Sequence, residues 1–337
     1  RSSDLATWAT AGVGMTGYVL GDRDLVERAL KGSRKDGSAG FLRQVDSLLS
    51  PDGYYAEGGY YQRYALWPFM VFANAIERYD PAVGIFRRRD GILIKTVRTA
   101  IDLTYRGHFI PFNDALKEKS LNTEELYQSV AIAYAQSRDP ALLSVAQWQG
   151  RVALSPEGRL VAADLASGKA KPFPFGSRLL RDGAEGRSGA VALIRSGDSD
   201  TGQLLVTKNA SQGMGHGHFD RLNWLYFDGG DEIVTDYGAA RFHNVEAKYG
   251  GRYLPENETW AKQSIAHNVL VVDGRSHFDG QLGPAEEHPA EQLHFADSAD
   301  FSVSIGRERN AYPGVAMTRA VALVAVPGLA KRVVVDL

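Results

Sequence analysis

The spacing of apolar positions divides the chain in two. Up to about residue 150, apolar residues recur every three or four positions, the period of amphipathic helices; from about residue 187 they alternate, the period of strands. In the first part, "ATWATAGVGMTGYVLG" (6–21) reads as a helix of small and apolar residues ending at Gly21. "DRDLVERALKG" (22–32) runs from an Asp cap to a Gly stop. "YALWPFMVFANAIERYDP" (64–81) predicts a strongly apolar helix, in which Pro68 is tolerated only near the first turn or at a kink. "DGILIKTVRTAIDLTYRG" (90–107) is amphipathic, "NTEELYQSVAIAYAQS" (122–137) opens with Asn122 and Glu125 at capping-box spacing, and "DPALLSVAQWQG" closes the series. Serial helices with short loops, without an exact repeat, predict a bundle or an α/α array.

Residues 151–186 break the pattern. They include "SGKAKPFPFGSRLLRDGAEG", rich in Gly, Pro and charge, and read as a linker. Beyond it "SGAVALIRSG", "GQLLVTKN", "LNWLYFDGGDEIVTDYG", "AHNVLVVDG", "FSVSIGRER" and "AVALVAVPG" read as short strands between Gly-rich turns, with a hairpin turn at Asp228-Gly229-Gly230-Asp231. The expected organisation is α+β: a helical domain over 1–150, a linker over 151–186, and antiparallel, stacked β-sheets over 187–337. The chain starts without Met, shows no signal-peptide pattern, and stops at "RVVVDL" in what reads as mid-strand; a fragment of a longer protein is expected.

Composition changes this picture little. The 337 residues are 44% hydrophobic and 23% charged, enough for about two domains with a sizeable core. A net charge of −2 marks the whole chain as neither a nucleic-acid nor a membrane-surface binder, so a polyanionic partner needs a local basic site. No apolar run approaches the ~18 residues of a membrane span. With no cysteine, thiol catalysis, disulfides and Cys-ligated zinc are excluded.

The chemistry concentrates after residue 213. In "MGHGHFDRLNW" an extended backbone would point His216, His218 and Asp220 to one side, with glycines at 213, 215 and 217 permitting close backbone approach. Asp236 is expected to end the return strand of the hairpin, and His267 to open the strand "AHNVLVV". Two histidines and a carboxylate are a recognised zinc set, each ring needing a further partner to orient it. Solvated or hydrogen-bonded histidines are the competing reading. Five of the eight histidines, at 216, 218, 243, 267 and 277, fall within about sixty residues. Between them runs a long polar and aromatic stretch (236–268) without a clear strand, which for its length reads as functional, and whose Tyr253 sits in the turn-rich "GGRYLPEN". In the helical half, "YYAEGGYYQRYALW" (54–67) carries five tyrosines. It reads either as an aromatic helix entrance or as a sugar-binding wall with Arg63 for a carboxylate.

Together "YYAEGGYYQRYA", "FIPFNDALK", "HGHFDRLNW", the 236–268 stretch and "LVVDGRSHF" resemble polysaccharide lyase family 17, the oligoalginate lyases of the heparinase II/III-like group. The resemblance implies the last part of an α/α toroid followed by the first part of a β-sandwich-like sheet domain. It implies exolytic β-elimination at a uronic acid in alginate, an acidic oligosaccharide partner, a periplasmic or secreted parent, and a homodimer as one admissible assembly. By motif match Tyr61 is the expected base and Tyr253 the expected acid, with His216 at the substrate. Arg63 and Arg241 are expected on the substrate, and His218, Asp236 and His267 on a structural zinc. One departure stands out: where the family carries Asn-His-Gly, this chain has Asp4, Leu5 and Ala6, which puts its turnover in doubt. Gly59, where the family has Pro, is a smaller departure. A lyase for another acidic polysaccharide, of the heparan sulfate kind, and a non-catalytic saccharide-binding fragment are the alternatives. If half the toroid is missing, exposed apolar helix faces are also expected.

Overall fold

A computed structural model describes residues 3–199, 201–242 and 250–337. The chain divides into two compact units. The first comprises Arg1–Tyr55, Tyr61–Asp102 and Lys119–Pro174; the second comprises Ala56–Tyr60, Leu103–Glu118 and Phe175–Leu337. The α+β expectation holds, with helices in the first unit and antiparallel sheets in the second.

Helices α1 (Ser3–Leu20), α2 (Arg23–Lys31), α3 (Gly40–Leu48), α4 (Gly59–Tyr79, entering from the second unit), α5 (Ile92–Asp102), α6 (Glu124–Ser137), α7 (Pro140–Gln149) and α8 (Pro156–Ala166) build the first unit. Their ends follow local chemistry. Asp22 caps α2 by accepting from the amides of Asp24 and Leu25, and Gly150 ends α7 in the left-handed region at φ 67°. The capping box expected at Asn122 does not form: the N-cap is Thr123, without a side-chain bond, and the Glu125 carboxylate pairs with Arg63 at 2.6 Å instead. Pro68 lies inside α4, so the Tyr64 carbonyl cannot receive a helical amide there. Gly14 of α1 is required by packing, since a Cβ there would fall 2.0 Å from the Phe72 ring. That ring also meets Phe41 edge-on at 4.7 Å. On α1 the side chains of Leu5, Val19 and Leu20 are well exposed.

The segment 151–186 is more structured than a linker. Ser155 caps α8 by accepting from the amide of Gly158, and Pro156 sits at the favoured first position of the helix. A short strand, Arg178–Arg181, also falls within this segment.

The second unit opens with a short hairpin, β1 (Thr104–Tyr105) and β2 (His108–Phe109), then stacks two antiparallel sheets. One runs β3 (Arg178–Arg181), β4 (Ala190–Ser196), β5 (Gln203–Asn209), β6 (Asn223–Asp228) and β7 (Asp231–Val234) in sequence order. The other runs β8 (Glu291–Asp297), β9 (Phe301–Tyr312), β10 (Val315–Val324) and β11 (Val333–Asp336), also as a meander. Ile194, Leu205 and Tyr226 from the first sheet pack on Val321 and Leu323 from the second. The Thr207 and Ser304 hydroxyls bond across the interface at 2.7 Å. Gly229 and Gly230, both at positive φ, make the expected two-residue β6–β7 hairpin.

The strand expected over 266–272 is absent; only an isolated bridge, Val272 to Arg275, forms there. Side chains replace the ladder. The Asn268 amide donates to the carbonyls of Trp224 and Thr235, and Arg319 donates to the Asn268 carbonyl. The described residues of 236–268 form no strand, as expected, and fold into short turns of helix.

Candidate active site and metal centre

The segment around the two central histidines is a turn, not the extended run expected. Gly213, Met214 and Gly215 all take positive φ (90°, 54° and 90°), and the His216 amide closes back on the Gly213 carbonyl at 3.0 Å. Gly217 makes this possible: a Cβ there would lie 1.2 Å from the Gln212 carbonyl oxygen. His216 and His218 nevertheless converge, because both reach Asp114 from the 103–118 segment. His216 Nδ1 lies 3.2 Å from Asp114 Oδ2, and His218 Nε2 lies 3.1 Å from Oδ1. The Asp114 amide also donates to the His216 carbonyl at 3.0 Å, which fixes the two segments to each other. Burial pushes the Asp114 carboxyl up, but hydrogen bonds from the two histidines pull it well below the usual carboxylate range.

Asp220 does not join them. Its Oδ1 accepts from Lys208 Nζ at 2.5 Å, and Lys208 also donates to Asn113 Oδ1. Against burial, the Lys208 ammonium holds the Asp220 carboxyl below its ordinary value.

The set expected to hold a metal is assembled. One ligand atom from each of His218, Asp236 and His267 falls within 4.8 Å of the others. All three side chains are buried. Asp236 follows β7 by two residues. Its Oδ2 accepts from Asn223 Nδ2 at 2.8 Å and contacts His267 Nδ1 at 3.0 Å, and its Oδ1 accepts from the Gly238 amide. The free ring atoms carry the fit: His218 Nδ1 and His267 Nε2 are buried and have no hydrogen-bond partner among the described residues. A buried imidazole nitrogen is costly to leave unpaired. With His218 Nε2 committed to Asp114, its Nδ1 lone pair is available to a cation, the carboxylate–histidine arrangement usual behind metal ligands. Burial drives the His218 pKa down, towards the neutral ligating form. The residues therefore fit a divalent metal with two nitrogen donors and one oxygen donor.

Sequence reasoning missed three residues. Asp114 stood in a quoted motif, "FNDALK", but more than a hundred positions from the histidines that it orients. Asn257, fully buried, donates to Asp114 Oδ1 at 2.8 Å and accepts from the Ala240 amide at 3.0 Å, so it pins the 236–268 stretch to the same carboxylate. Arg252 places Nη1 2.7 Å from both ring nitrogens of His216 and its guanidinium carbon 5.0 Å from the centre of the Tyr253 ring. The only sequence signal for Arg252 was its place beside Tyr253.

The other expected residues lie as follows. Tyr253 is 80% exposed, in keeping with a surface position in a turn-rich stretch. Arg241 pairs with Glu118 in the second unit. Tyr61 and Arg63 sit on α4 in the first unit, Tyr61 half-buried and Arg63 buried against Glu125. His277 is structural: Nδ1 accepts from the Arg221 amide at 3.1 Å and Nε2–H donates to the Leu270 carbonyl at 2.9 Å. His243 lies outside the described residues.

The chain is 56% identical over 332 residues to an alginate lyase of Stenotrophomonas maltophilia, covering 98% of this chain and 45% of that protein. It is 55% identical over 330 residues to an exo-oligoalginate lyase of Saccharophagus degradans, with the same coverage. The chain thus spans less than half the length of these curated relatives. Among solved structures, heparinase III superposes with a TM-score of 0.67 at 13% identity, covering 96% of this chain and 46% of that one. Heparan sulfate lyase HepC from Pedobacter heparinus gives 0.63 at 16%, covering 94% and 43%. These two likenesses are of fold. Residues 178–337, the range that holds His216, His218, Asp236, Tyr253 and His267, match the family model for the heparinase II/III-like C-terminal domain.

Proposed function

We propose that this chain carries the reacting part of a polysaccharide lyase that cuts alginate oligosaccharides by β-elimination, releasing unsaturated uronate units from a chain end. The observation that carries the reading is the similarity, at 55–56% identity across 98% of the chain, to proteins named as an alginate lyase and an exo-oligoalginate lyase. The helical unit is then the last part of an α/α toroid, and the substrate is an acidic saccharide.

β-Elimination removes the C5 proton of a uronate and expels the sugar oxygen at C4. The C5 proton is weakly acidic, so the adjacent carboxylate must be neutralised while a base takes the proton and an acid supplies one to the leaving oxygen. In this reading Tyr61, as its phenolate, takes the C5 proton and Tyr253, exposed at the surface, protonates the leaving oxygen. His216, oriented by Asp114, faces the sugar. Arg63 and Arg241 already hold the carboxylates of Glu125 and Glu118, and would bind a uronate in exchange. His218, Asp236 and His267 would hold zinc, which when bound supplies a fixed dication that ties the 236–268 stretch to the sheet.

A second reading, saccharide binding without turnover, is favoured by one observation. Leu5, 62% exposed, and Asp4 stand where the resemblance leads one to expect Asn and His. Leu donates no hydrogen bond and Asp repels a carboxylate. The test incubates the purified full chain with mannuronate-rich alginate oligomers and follows the ultraviolet absorbance of the unsaturated product, with heparan sulfate in parallel. A rise on alginate that Tyr253→Phe abolishes supports the lyase. Binding without a rise supports the second reading, and a rise on heparan sulfate alone reassigns the substrate.

A further inference from the structure

Arg252 occupies a place that the motif reading gave to no residue. Its Nη1 sits 2.7 Å from both Nδ1 and Nε2 of His216; with Nδ1–H turned to the Asp114 carboxylate, Nε2 is the nitrogen that accepts from the guanidinium. The same guanidinium lies 5.0 Å from the Tyr253 ring centre, within cation–π range. His216 Nδ1 is also held by Asp114, whose other oxygen receives Asn257 from the stretch that carries Arg252. A buried carboxylate, an imidazole, a guanidinium and an exposed phenol therefore stand in sequence. Within the second unit, Arg252 is the link between the histidine and the tyrosine.

We propose that Arg252 is a positioning residue for the elimination: it holds His216 and Tyr253 in one arrangement, and it is the cation beside Tyr253 when that residue has given its proton to the leaving oxygen. The inference rests on the lyase reading for its chemistry and on the geometry of the second unit for the contact, and the two are tested separately. The proton balance is simple. The Tyr253 O–H bond breaks as the sugar O–H forms, and the phenolate left behind lies next to a guanidinium that is charged at every working pH. The phenol is restored by the proton taken from C5 or by water. Lys would keep the charge without the planar fork, and Ala would remove both.

The experiment compares wild type, Arg252→Lys and Arg252→Ala on saturated mannuronate trimers. Arg252→Ala is expected to lower kcat about a hundredfold, the usual cost of a misplaced reacting group, with a much smaller change in KM. Added guanidinium ion should restore part of the rate in Arg252→Ala and none in Tyr253→Phe, and Arg252→Lys should fall between. A merely structural role would not respond to guanidinium. An active wild type with an equally active Arg252→Ala, or a loss that guanidinium leaves untouched, overturns the role. An inactive wild type sinks the lyase reading instead, and the contact is then judged by nitrogen spectra of the labelled histidines. The His216 ring signals should move in Arg252→Ala and stay in place in Arg275→Ala, an exposed arginine paired with Asp279. Unmoved His216 signals overturn the proposal whatever the activity.

Discussion

Asp114 is the residue on which the site turns. One carboxylate orients His216 through Oδ2 and holds both His218 and Asn257 through Oδ1. In Asp114→Asn one of the two oxygens becomes an amide donor facing a ring N–H or the Asn257 amide, so at least one bond turns repulsive. Metal affinity is expected to fall by about 10- to 100-fold, the usual effect of losing a group that orients a ligand, measured by zinc titration against a competing chelator. Unchanged affinity would mean that Asp114 does not set the His218 ring. Spacing alone grouped His218 with His216 and Asp220, whereas the set of His218, Asp236 and His267 was legible through the family resemblance. Asp114 was not, because its contacts come from a fold that brings residues a hundred positions apart together. His277 shows the opposite error, a clustered histidine with a structural task. Burial pushes its pKa down to about 4, with the Leu270 carbonyl opposing; Asp220, Arg221 and His267 are the charged and titratable neighbours, and the Tyr312 ring packs edge-on. The unfolded chain therefore takes up this proton first as pH falls. The contribution is complete above the ordinary value of 6.5 and is lost between 6.5 and about 4. At pH 5 the loss is roughly 2 kcal/mol. Urea unfolding at pH 7 and pH 5 should show His277→Gln losing correspondingly less than wild type, and equal losses would remove His277 from the account.

At the scale of elements, the site depends on a turn that the alternation rule reads as a strand. Period-two reasoning assumes an extended backbone, and the three positive-φ residues 213–215 break that assumption. Gly217→Ala tests the turn. Its new Cβ would meet the Gln212 carbonyl oxygen at 1.2 Å, which no rotamer relieves because the obstacle is backbone. The expected cost is about 3 kcal/mol or more in urea unfolding, together with loss of tight zinc binding as His216 and His218 move off Asp114. A stable variant that binds zinc normally would show that the turn relaxes without moving the histidines. Element ends were legible where a cap is local, as at Asp22 and Gly150, and misread where a distant partner competes. Glu125 left its capping role for Arg63, and the apolar run at 269–272 lost its ladder to Asn268 and Arg319. α8 and β8 (Glu291–Asp297) escaped notice because their apolar faces are thin: α8 buries only Gly158, Val161 and Asp164, and no residue of β8 is fully buried.

At the scale of the whole molecule, the metal set joins three stretches that secondary structure leaves loosely tied. His218 precedes β6, Asp236 follows β7, and His267 ends the long 236–268 stretch. The sandwich has its own core in Ile194, Leu205, Tyr226, Val321 and Leu323, which needs no ion. The buried acids do call for charge. Lys208 answers Asp220, whereas the ionic partner of Asp236 among the described residues is His267 alone. A dication held by His218, Asp236 and His267 would settle that imbalance and fill the two unpaired ring nitrogens. Metal removal should therefore act in two ways. Free zinc at 100 to 1000 times its Kd should stabilise the chain by roughly 3 to 4 kcal/mol, so a chelator should lower Tm, and added zinc should restore it. Hydrogen exchange should rise after chelation at 216–220, 236–242 and 264–268, while the strands from β4 to β6 and from β9 to β10 keep their protection. A chelated protein with unchanged Tm and unchanged exchange, carrying no metal when purified, would show that the two histidines and the aspartate satisfy each other without an ion.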